Sequence, residues 1–342
     1  MKVSVVIPLY NKAPYIRRTL DSVLGQTFGK FELIVVDDGS TDASREVVDG
    51  MRDRRVRLIS QANAGPAAAR NLGLSKASGQ YIVFMDADDE WKDGFLNHTV
   101  ELLEQSPDDV AAVCTGYLTY PQARSTWPMW QRRGLNDGVL RLTPDSPAIF
   151  AVHLLAFMSP WNTLARTEVV RRFGGFCRRG KFLYAEDAFL WLQVLMNHAI
   201  RVSPAELVCY HTEASGLAMH RRQARPIEPM LIYPQDLRAT CPEPMIGLLD
   251  NILAIRAAKT ALMLGYFGQW RAGRALLSQF CPMASLGLPN VALAQLAATP
   301  AGAAAGWLVR HWVSKRGPRP TDCVPNMPGP SQPSLKSSVR YA

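Results

Sequence analysis

Residues 31–42 read Phe31-Glu32-Leu33-Ile34-Val35-Val36-Asp37-Asp38-Gly39-Ser40-Thr41-Asp42. The apolar, β-branched run predicts a buried strand, and the glycine marks a turn directly after it. Similar runs lie at 3–7, 56–60 and 81–85, and the segments between them have helical spacing. This alternation predicts an α/β fold with a mostly parallel sheet. Polar clusters follow the strands, so we expect them to meet at one sheet edge, where ligands bind in such folds.

Composition indicates a globular chain with a basic end. The 342 residues are 48% hydrophobic and carry a net charge of +9. Six basic residues against one acid put +5 of this charge beyond residue 309: Arg310, Lys315, Arg316, Arg319, Lys336 and Arg340 against Asp322. Such an end suits an anionic membrane surface. No nucleic-acid motif accompanies it, so we expect no nucleic acid partner.

The chain is expected to divide into three parts. Residues 1–215 form one predicted α/β domain, with halves at 1–118 and 119–215. Within the second half, prolines, glycines and tryptophans make 119–146 read as a long loop. Residues 216–316 are predicted to be a helical region that touches the membrane, because 275–309 lacks charge but is broken by prolines. Residues 317–342 are predicted to be disordered.

Cysteine spacing and the first residues bear on the compartment. The six cysteines form no CxxC pair, so they are expected to be reduced thiols. The first predicted strand begins without a preceding charged and apolar leader. We therefore expect a cytoplasmic protein that is peripheral on the inner face of the cell membrane.

Asp86-Ala87-Asp88-Asp89 follows the fourth predicted strand. Carboxylates are the ligands that Mg²⁺ and Mn²⁺ take together with a substrate's phosphates. The same acids could instead cap a helix that starts near Asp93. Asp37 and Asp38 exceed what capping of the next helix requires, because Ser40, Thr41 or Asp42 can do that. A carboxylate there can accept a hydrogen bond from the N3–H of a uracil ring.

Four stretches follow one another along the chain: SVVIPLYN at 4–11, VVDDGSTD at 35–42, NAGPAAARNLG at 63–73 and FMDADD at 84–89. Over roughly residues 1–215 they resemble the family 2 glycosyltransferases, which are inverting enzymes of GT-A fold. The resemblance implies a catalytic domain at 1–215, with a nucleotide-binding half at 1–118 and an acceptor half at 119–215. The resemblance implies that Pro8 and Tyr10 line the nucleobase pocket, that Asp38 accepts from the base and that Arg70 faces the nucleotide. It also implies Asp88 as the main metal carboxylate, with Asp86 near the ribose or the metal and Asp89 as a second ligand.

Glu186-Asp187 precedes a helix and resembles the family's Glu-Asp motif. Inverting transfer needs a carboxylate that removes the proton of the acceptor hydroxyl, and Asp187 is the candidate base, with Glu186 as its neighbour. Acids at a helix start also favour the helix dipole, without any catalytic role. His211 lies near the place where relatives put a residue beside the diphosphate. It is a candidate third metal ligand or a structural histidine.

The resemblance implies an inverting glycosyltransferase that moves a sugar from a nucleotide sugar, most often a UDP-sugar, to a glycan or lipid-linked acceptor of a surface polysaccharide. A divalent metal, Mn²⁺ or Mg²⁺, is the expected cofactor. A dinucleotide-binding dehydrogenase is disfavoured, because Pro8-Leu9-Tyr10-Asn11 replaces the glycine-rich turn after the first strand. A non-catalytic module that binds sugar nucleotides remains the alternative.

Overall fold

A computed structural model describes residues 1–214, 224–280 and 294–306. The first 104 residues alternate strands and helices, as the hydrophobic pattern predicts. The elements are β1 (Val3–Leu9), α1 (Ala13–Leu24), β2 (Phe31–Asp37), α2 (Ser44–Asp49), β3 (Val56–Ser60), α3 (Pro66–Lys76), β4 (Tyr81–Phe84), β5 (Glu90–Trp91) and α4 (Phe95–Glu104).

The next part of the chain adds the remaining strands and the helices that cover them. The elements are β6 (Val110–Tyr120), β7 (Arg124–Ser125), α5 (Trp127–Arg132), β8 (Gly138–Leu140), α6 (Ala148–Phe157), a 3-10 helix (Pro160–Asn162), β9 (Thr163–Arg166), α7 (Thr167–Arg172), α8 (Glu186–Asn197) and β10 (Ala199–His211). The expected loop at 119–146 is wrong. It contains β7, α5 and β8, and Trp130, Leu135 and Leu142 are buried in the core, so its tryptophans and leucines serve packing.

All ten strands belong to one sheet, with the main order β3-β2-β1-β4-β9-β6-β10-β5. The pairs β1–β2, β2–β3, β1–β4 and β6–β10 are parallel, and they contain most of the paired residues. The predicted α/β class and mostly parallel sheet are therefore confirmed. The chain runs from β1 outward to β3 and then returns to β4 on the other side of β1. This reversal of strand order opens a crevice at the carboxyl ends of β1 and β4.

The central strands are buried on both faces. Val5 and Ile7 of β1 pack in one hydrophobic cluster, and Val6 packs in the other, on the opposite side of the sheet. Because successive side chains of a strand point to opposite faces, this requires helices on both sides. The continuous apolar runs of β1 and β2 therefore position their polar ends at a rigid edge.

The helices over residues 229–280 pack on α6, on α8 and on one another. They are α9 (Pro229–Ile232), α10 (Pro234–Thr240), a 3-10 helix (Glu243–Met245), α11 (Ile246–Tyr266) and α12 (Trp270–Phe280). Glu228 is buried and accepts two hydrogen bonds from the guanidinium of Arg256, at 2.8 and 2.7 Å. No helix in the described ranges combines the length and apolarity that a membrane crossing requires. The predicted disordered tail at 317–342 and much of the uncharged 275–309 segment lie outside the described residues.

Candidate active site

The loop after β1 forms one wall of the crevice. Tyr10 is 45% exposed, and Asn11 has a positive φ of 51°. The Asn11 side chain accepts a hydrogen bond from the backbone N–H of Thr41 at 2.8 Å, which ties this loop to the one after β2. Pro8 lies in β1 opposite Val36. Pro8 and the exposed ring of Tyr10 therefore lie at the sheet edge. The family resemblance predicts a nucleobase at this edge.

Asp38 lies at the end of β2 and is buried. Its carboxylate accepts hydrogen bonds from the side chain of Gln61 and from the backbone N–H groups of Ala64 and Gly65, at 2.7 to 2.8 Å. Gly65 has φ +94°, a conformation that glycine adopts readily. Asp38 thus fixes the loop that starts α3. Its acceptance of a hydrogen bond from a base stays a prediction.

Arg70 joins two of the predicted acidic motifs. It is buried, and its guanidinium donates to Asp86 and to Glu186, each at 2.7 Å. Burial alone would lower the pKa of Arg70, but the two carboxylates outweigh it and raise the pKa. The guanidinium also lies over the ring of Phe176, 5.2 Å from its centroid. Arg70 therefore holds the end of β4 and the start of α8 together.

Asn71 holds the backbone of Phe176, whose ring lies under the guanidinium of Arg70. Its side-chain amide donates to the carbonyl of Phe176 and accepts from the N–H of Phe176, both at 2.9 Å. The Phe176 ring packs edge-on against Phe84, the last residue of β4, with centroids 4.8 Å apart. Gly175 has φ +77°, and a Cβ there would lie 2.2 Å from the Asn71 oxygen. The turn at 174–176, in the segment that leads to Glu186, is thereby held against α3.

Asp88 and Asp89 lie at the other side of the crevice. The ammonium of Lys12 donates to Asp88 at 2.5 Å, and Arg18 donates to the Asp88 carbonyl at 2.8 Å. Burial raises the pKa of Asp88, Lys12 opposes this rise, and the carboxylate of Asp86 adds to it. Burial and the two neighbouring acids also raise the pKa of Asp89 well above its usual range.

His211 closes this side, at the end of β10. Its backbone N–H donates to Asp89 at 2.8 Å. Its ring nitrogens contact two other carboxylates, Glu90 at 2.6 Å and Glu213 at 2.9 Å. The imidazole is thus already held between two acids. Its role as a metal ligand stays a prediction.

The residues present fit a divalent cation that is shared with a diphosphate. Over the described ranges, no three His, Cys, Asp or Glu side chains form a complete metal cage. Mg²⁺ and Mn²⁺ sites of this kind need only one or two carboxylates, because phosphate oxygens supply other ligands. Asp88 carries a cationic ammonium at its Oδ2, and the buried Oδ2 of Asp89 has no hydrogen-bond partner. The Asp89 oxygen is therefore available to a cation, and the Asp88 oxygen already faces one.

The predicted base lies at the first turn of α8. Ala185, just before this helix, has the left-handed φ of 56°, which is strained for a residue with a side chain. Burial and the adjacent Glu186 raise the pKa of Asp187 to about 7, while Arg70 opposes the rise. The Asp187 carboxylate accepts only a local bond from the N–H of Ala188 at 2.9 Å among the contacts described. Asp187 is thus poised to exchange a proton near neutral pH.

Sequence reasoning named Arg70 and the acids of this region, but it did not name several residues that contact them. Lys12, Arg18, Asn71 and Phe176 were not predicted to act here. Lys12 directly follows Tyr10 and Asn11 in the sequence. Its position at the carboxyl end of the first predicted strand could therefore have been inferred from the sequence. The partners of Asn71 lie 105 positions away, and no local pattern reveals them.

Comparisons with known proteins bear on the family and the fold of this chain. Residues 4–170 match the family model described as glycosyl transferase family 2. An uncharacterized glycosyltransferase, alr2836, of Nostoc sp. is 43% identical over 116 residues, which is 33% of this chain and 35% of the relative. Glycosyltransferase GlyA of Streptococcus pneumoniae is 32% identical over 218 residues, 58% of this chain and 31% of GlyA. The chain thus spans about a third of the length of these relatives.

Solved structures share the fold. TarS 1–349 of S. aureus, in complex with UDP-GlcNAc, matches with a TM-score of 0.57 at 17% sequence identity. The match covers 83% of this chain and 90% of the TarS chain. The mannosyltransferase PcManGT of Pyrobaculum calidifontis, in complex with GDP-Man and Mn²⁺, has a TM-score of 0.53 at 22% identity and covers 92% of this chain and 83% of its own. These two likenesses support the GT-A type of fold. Residues 4–170 of this chain therefore match glycosyl transferase family 2 in sequence, and the chain shares the fold of these two solved structures.

Proposed function

We propose that this protein is an inverting glycosyltransferase that moves a sugar from a nucleotide-sugar donor to an acceptor hydroxyl by direct displacement. One observation carries the proposal. Asp187, whose pKa is raised to about 7, adjoins Glu186, and Arg70 links Glu186 to Asp86 of the acidic motif. A proton acceptor and a diphosphate-binding motif thereby share one crevice.

The proposed reaction has a single displacement step. The acceptor oxygen forms a bond to the anomeric carbon, and the bond from that carbon to the nucleoside diphosphate breaks. The proton of the acceptor hydroxyl passes to the carboxylate of Asp187. Glu186 acts as a positioning residue, because its own carboxylate is engaged by Arg70. Arg70 remains charged throughout and keeps the two motifs at a fixed separation.

The proposed cofactor is Mn²⁺ or Mg²⁺, held by Asp88 with Asp89 beside it. When bound, the cation supplies positive charge to the leaving diphosphate. Lys12 and Arg18 add positive charge at the same end of the crevice. Pro8, Tyr10 and Asp38 lie at the ends of the neighbouring strands and are assigned to the nucleobase end of the donor.

A UDP-sugar is the proposed donor, and a glycan or lipid-linked acceptor of a surface polysaccharide is the proposed acceptor. UDP-GlcNAc in the TarS complex and GDP-Man in the PcManGT complex support a nucleotide sugar as the donor class. The proposed location is the cytoplasmic, inner face of the cell membrane. The basic residues beyond residue 309 support contact with anionic lipid. Failure of the full chain to bind anionic vesicles at low salt would reject that contact.

The test is sugar transfer from a panel of UDP-sugars with Mn²⁺ and glycan acceptors. Asp187→Asn and Asp88→Asn are compared with wild type, and Glu168→Gln serves as the matched control because Glu168 is an exposed acid at the start of α7. We expect at least about a hundredfold loss of kcat for Asp187→Asn, the scale of general-base catalysis, and no loss for the control. The product's anomeric configuration, read by NMR, must be opposite to that of the donor.

Two outcomes would contradict the proposal in different ways. Wild-type protein that binds UDP-sugars but transfers nothing across the panel favours a non-catalytic binding module. Transfer that retains the anomeric configuration rejects direct displacement, even if Asp187 proves essential.

A further inference from the structure

The side chain of Lys12 lies inside the acidic motif. Its ammonium is 2.5 Å from the Oδ2 of Asp88 and 2.8 Å from the carbonyl oxygen of Ala214. The two charged side chains are mostly shielded from water, with 22% and 12% of their surface exposed. Lys12 reaches this position from the start of α1, 76 residues earlier in the chain.

The electrostatics explain why a cation sits there. Asp86, Asp88 and Asp89 lie within four residues, so three carboxylates stand close together. Arg70 neutralises Asp86 from one side. Lys12 is the cation in direct contact with the Asp88 carboxylate, which is the group that we assign to the metal.

A carboxylate oxygen that receives an ammonium at 2.5 Å cannot coordinate a divalent ion with the same lone pair. The metal ion and the ammonium are both compact cations, and their mutual repulsion at ionic-contact distance is large in a shielded site. Binding of the metal through the Oδ2 of Asp88 therefore requires the ammonium to move away from that oxygen.

We propose that Lys12 is an internal counter-ion that competes with the divalent cation for Asp88 and so lowers the metal affinity of the donor-free protein. The inference rests on the proposed metal site at Asp88. It assigns Lys12 a role that differs from that of Arg18, which contacts the Asp88 backbone carbonyl. Lys12 holds the carboxylate in place until the metal replaces it.

The test is binding of Mn²⁺ alone, with free ion measured by electron paramagnetic resonance, to full-length wild type, Lys12→Met and Lys12→Gln. Arg17→Met is the matched control, because it removes one positive charge from the same helix while its exposed side chain contacts only Asp21 among the described salt bridges. We expect the Mn²⁺ affinity of the Lys12 variants to be at least about five times that of Arg17→Met. Both kinds of variant lose one positive charge, but only the Lys12 variants also lose the direct competition for Asp88.

Thermal unfolding gives a second readout that does not depend on activity. In EDTA, both Lys12 variants are expected to melt below wild type, because Asp88 has lost its partner, and Mn²⁺ should raise their Tm by more than it raises that of wild type. Lys12→Gln retains a polar group for the Ala214 carbonyl, so it serves if Lys12→Met does not fold.

The outcomes separate this inference from the function on which it rests. Equal or weaker Mn²⁺ affinity in the Lys12 variants than in Arg17→Met overturns the role of Lys12 and leaves the metal site intact. Absence of Mn²⁺ binding in every protein overturns the metal site at Asp88 and the competition together. Binding that survives Asp88→Asn unchanged likewise overturns both.

Discussion

Replacement of Glu186 by glutamine tests how the charges around Asp187 set its basicity. The structure attributes the raised pKa of Asp187 first to burial and next to the carboxylate of Glu186, with Arg70 opposing both. Glutamine retains an oxygen that can accept the 2.7 Å bond from Arg70 but carries no charge. The substitution therefore removes one cause of the shift while it preserves the shape of the site.

The size of the effect follows from Coulomb's law. Two carboxylates about 6 Å apart with an effective dielectric constant of about 20 repel each other by about 3 kcal/mol, or about two pKa units. Asp187 is half-buried, so solvent screening reduces this, and we expect its pKa to fall by about one unit. A base is active when deprotonated. Activity should thus rise with pH through about 7 in wild type and through about 6 in Glu186→Gln.

The assay is kcat/KM for the acceptor between pH 5 and 9, because this ratio reports ionisations of the free enzyme. Glu168→Gln removes an exposed acid from α7, and it should leave the midpoint of the rise in activity with pH as it is in wild type. In Glu186→Gln, the midpoint of the rise in activity with pH should move to lower pH. A midpoint that stays in place or moves to higher pH would refute the assignment of Asp187 as a base whose pKa is raised by Glu186.

Two further substitutions test the supports of the site. Asn71→Ala leaves the backbone groups of Phe176 without their 2.9 Å partners, at a cost of about 1–3 kcal/mol of stability. Because the turn at 174–176 loosens while Asp88 is untouched, kcat should fall with Mn²⁺ affinity unchanged; a matching loss of both would mean general unfolding. Gly73→Ala puts a Cβ 2.2 Å from Val6 in β1 and should lower the free energy of unfolding by about 1–3 kcal/mol. Gly247→Ala lies at an exposed helical position with nothing within 4 Å, so it should raise the free energy of unfolding by up to about 1 kcal/mol. Urea unfolding measures both variants, and the opposite ranking would contradict the close approach of α3 to β1.

The local pattern was sufficient for the framework and for the acids of the site. Continuous apolar runs such as Leu33–Val36 can be buried only between two helical layers, so the α/β class follows from them. Carboxyl ends of parallel strands share an edge, and this places Asp38 and Asp88 on one side of the sheet before any coordinates are known. The 119–146 segment was misread as a loop, because its prolines and glycines conceal the three buried side chains of Trp130, Leu135 and Leu142.

The partners of each charge depended on the packed chain. Arg70 contacts Asp86, 16 positions away, and Glu186, 116 positions away, and Lys12 contacts Asp88 across 76 positions. Such pairs arise because β1 lies between β2 and β4, a sheet order that strand periodicity does not encode. The acids at the ends of β2 and β4 are readable from one stretch of sequence. Which cation neutralises each of them, and which carboxylate is left to take a proton, is set by long-range contacts in a shielded crevice, where a single charge shifts its neighbours strongly.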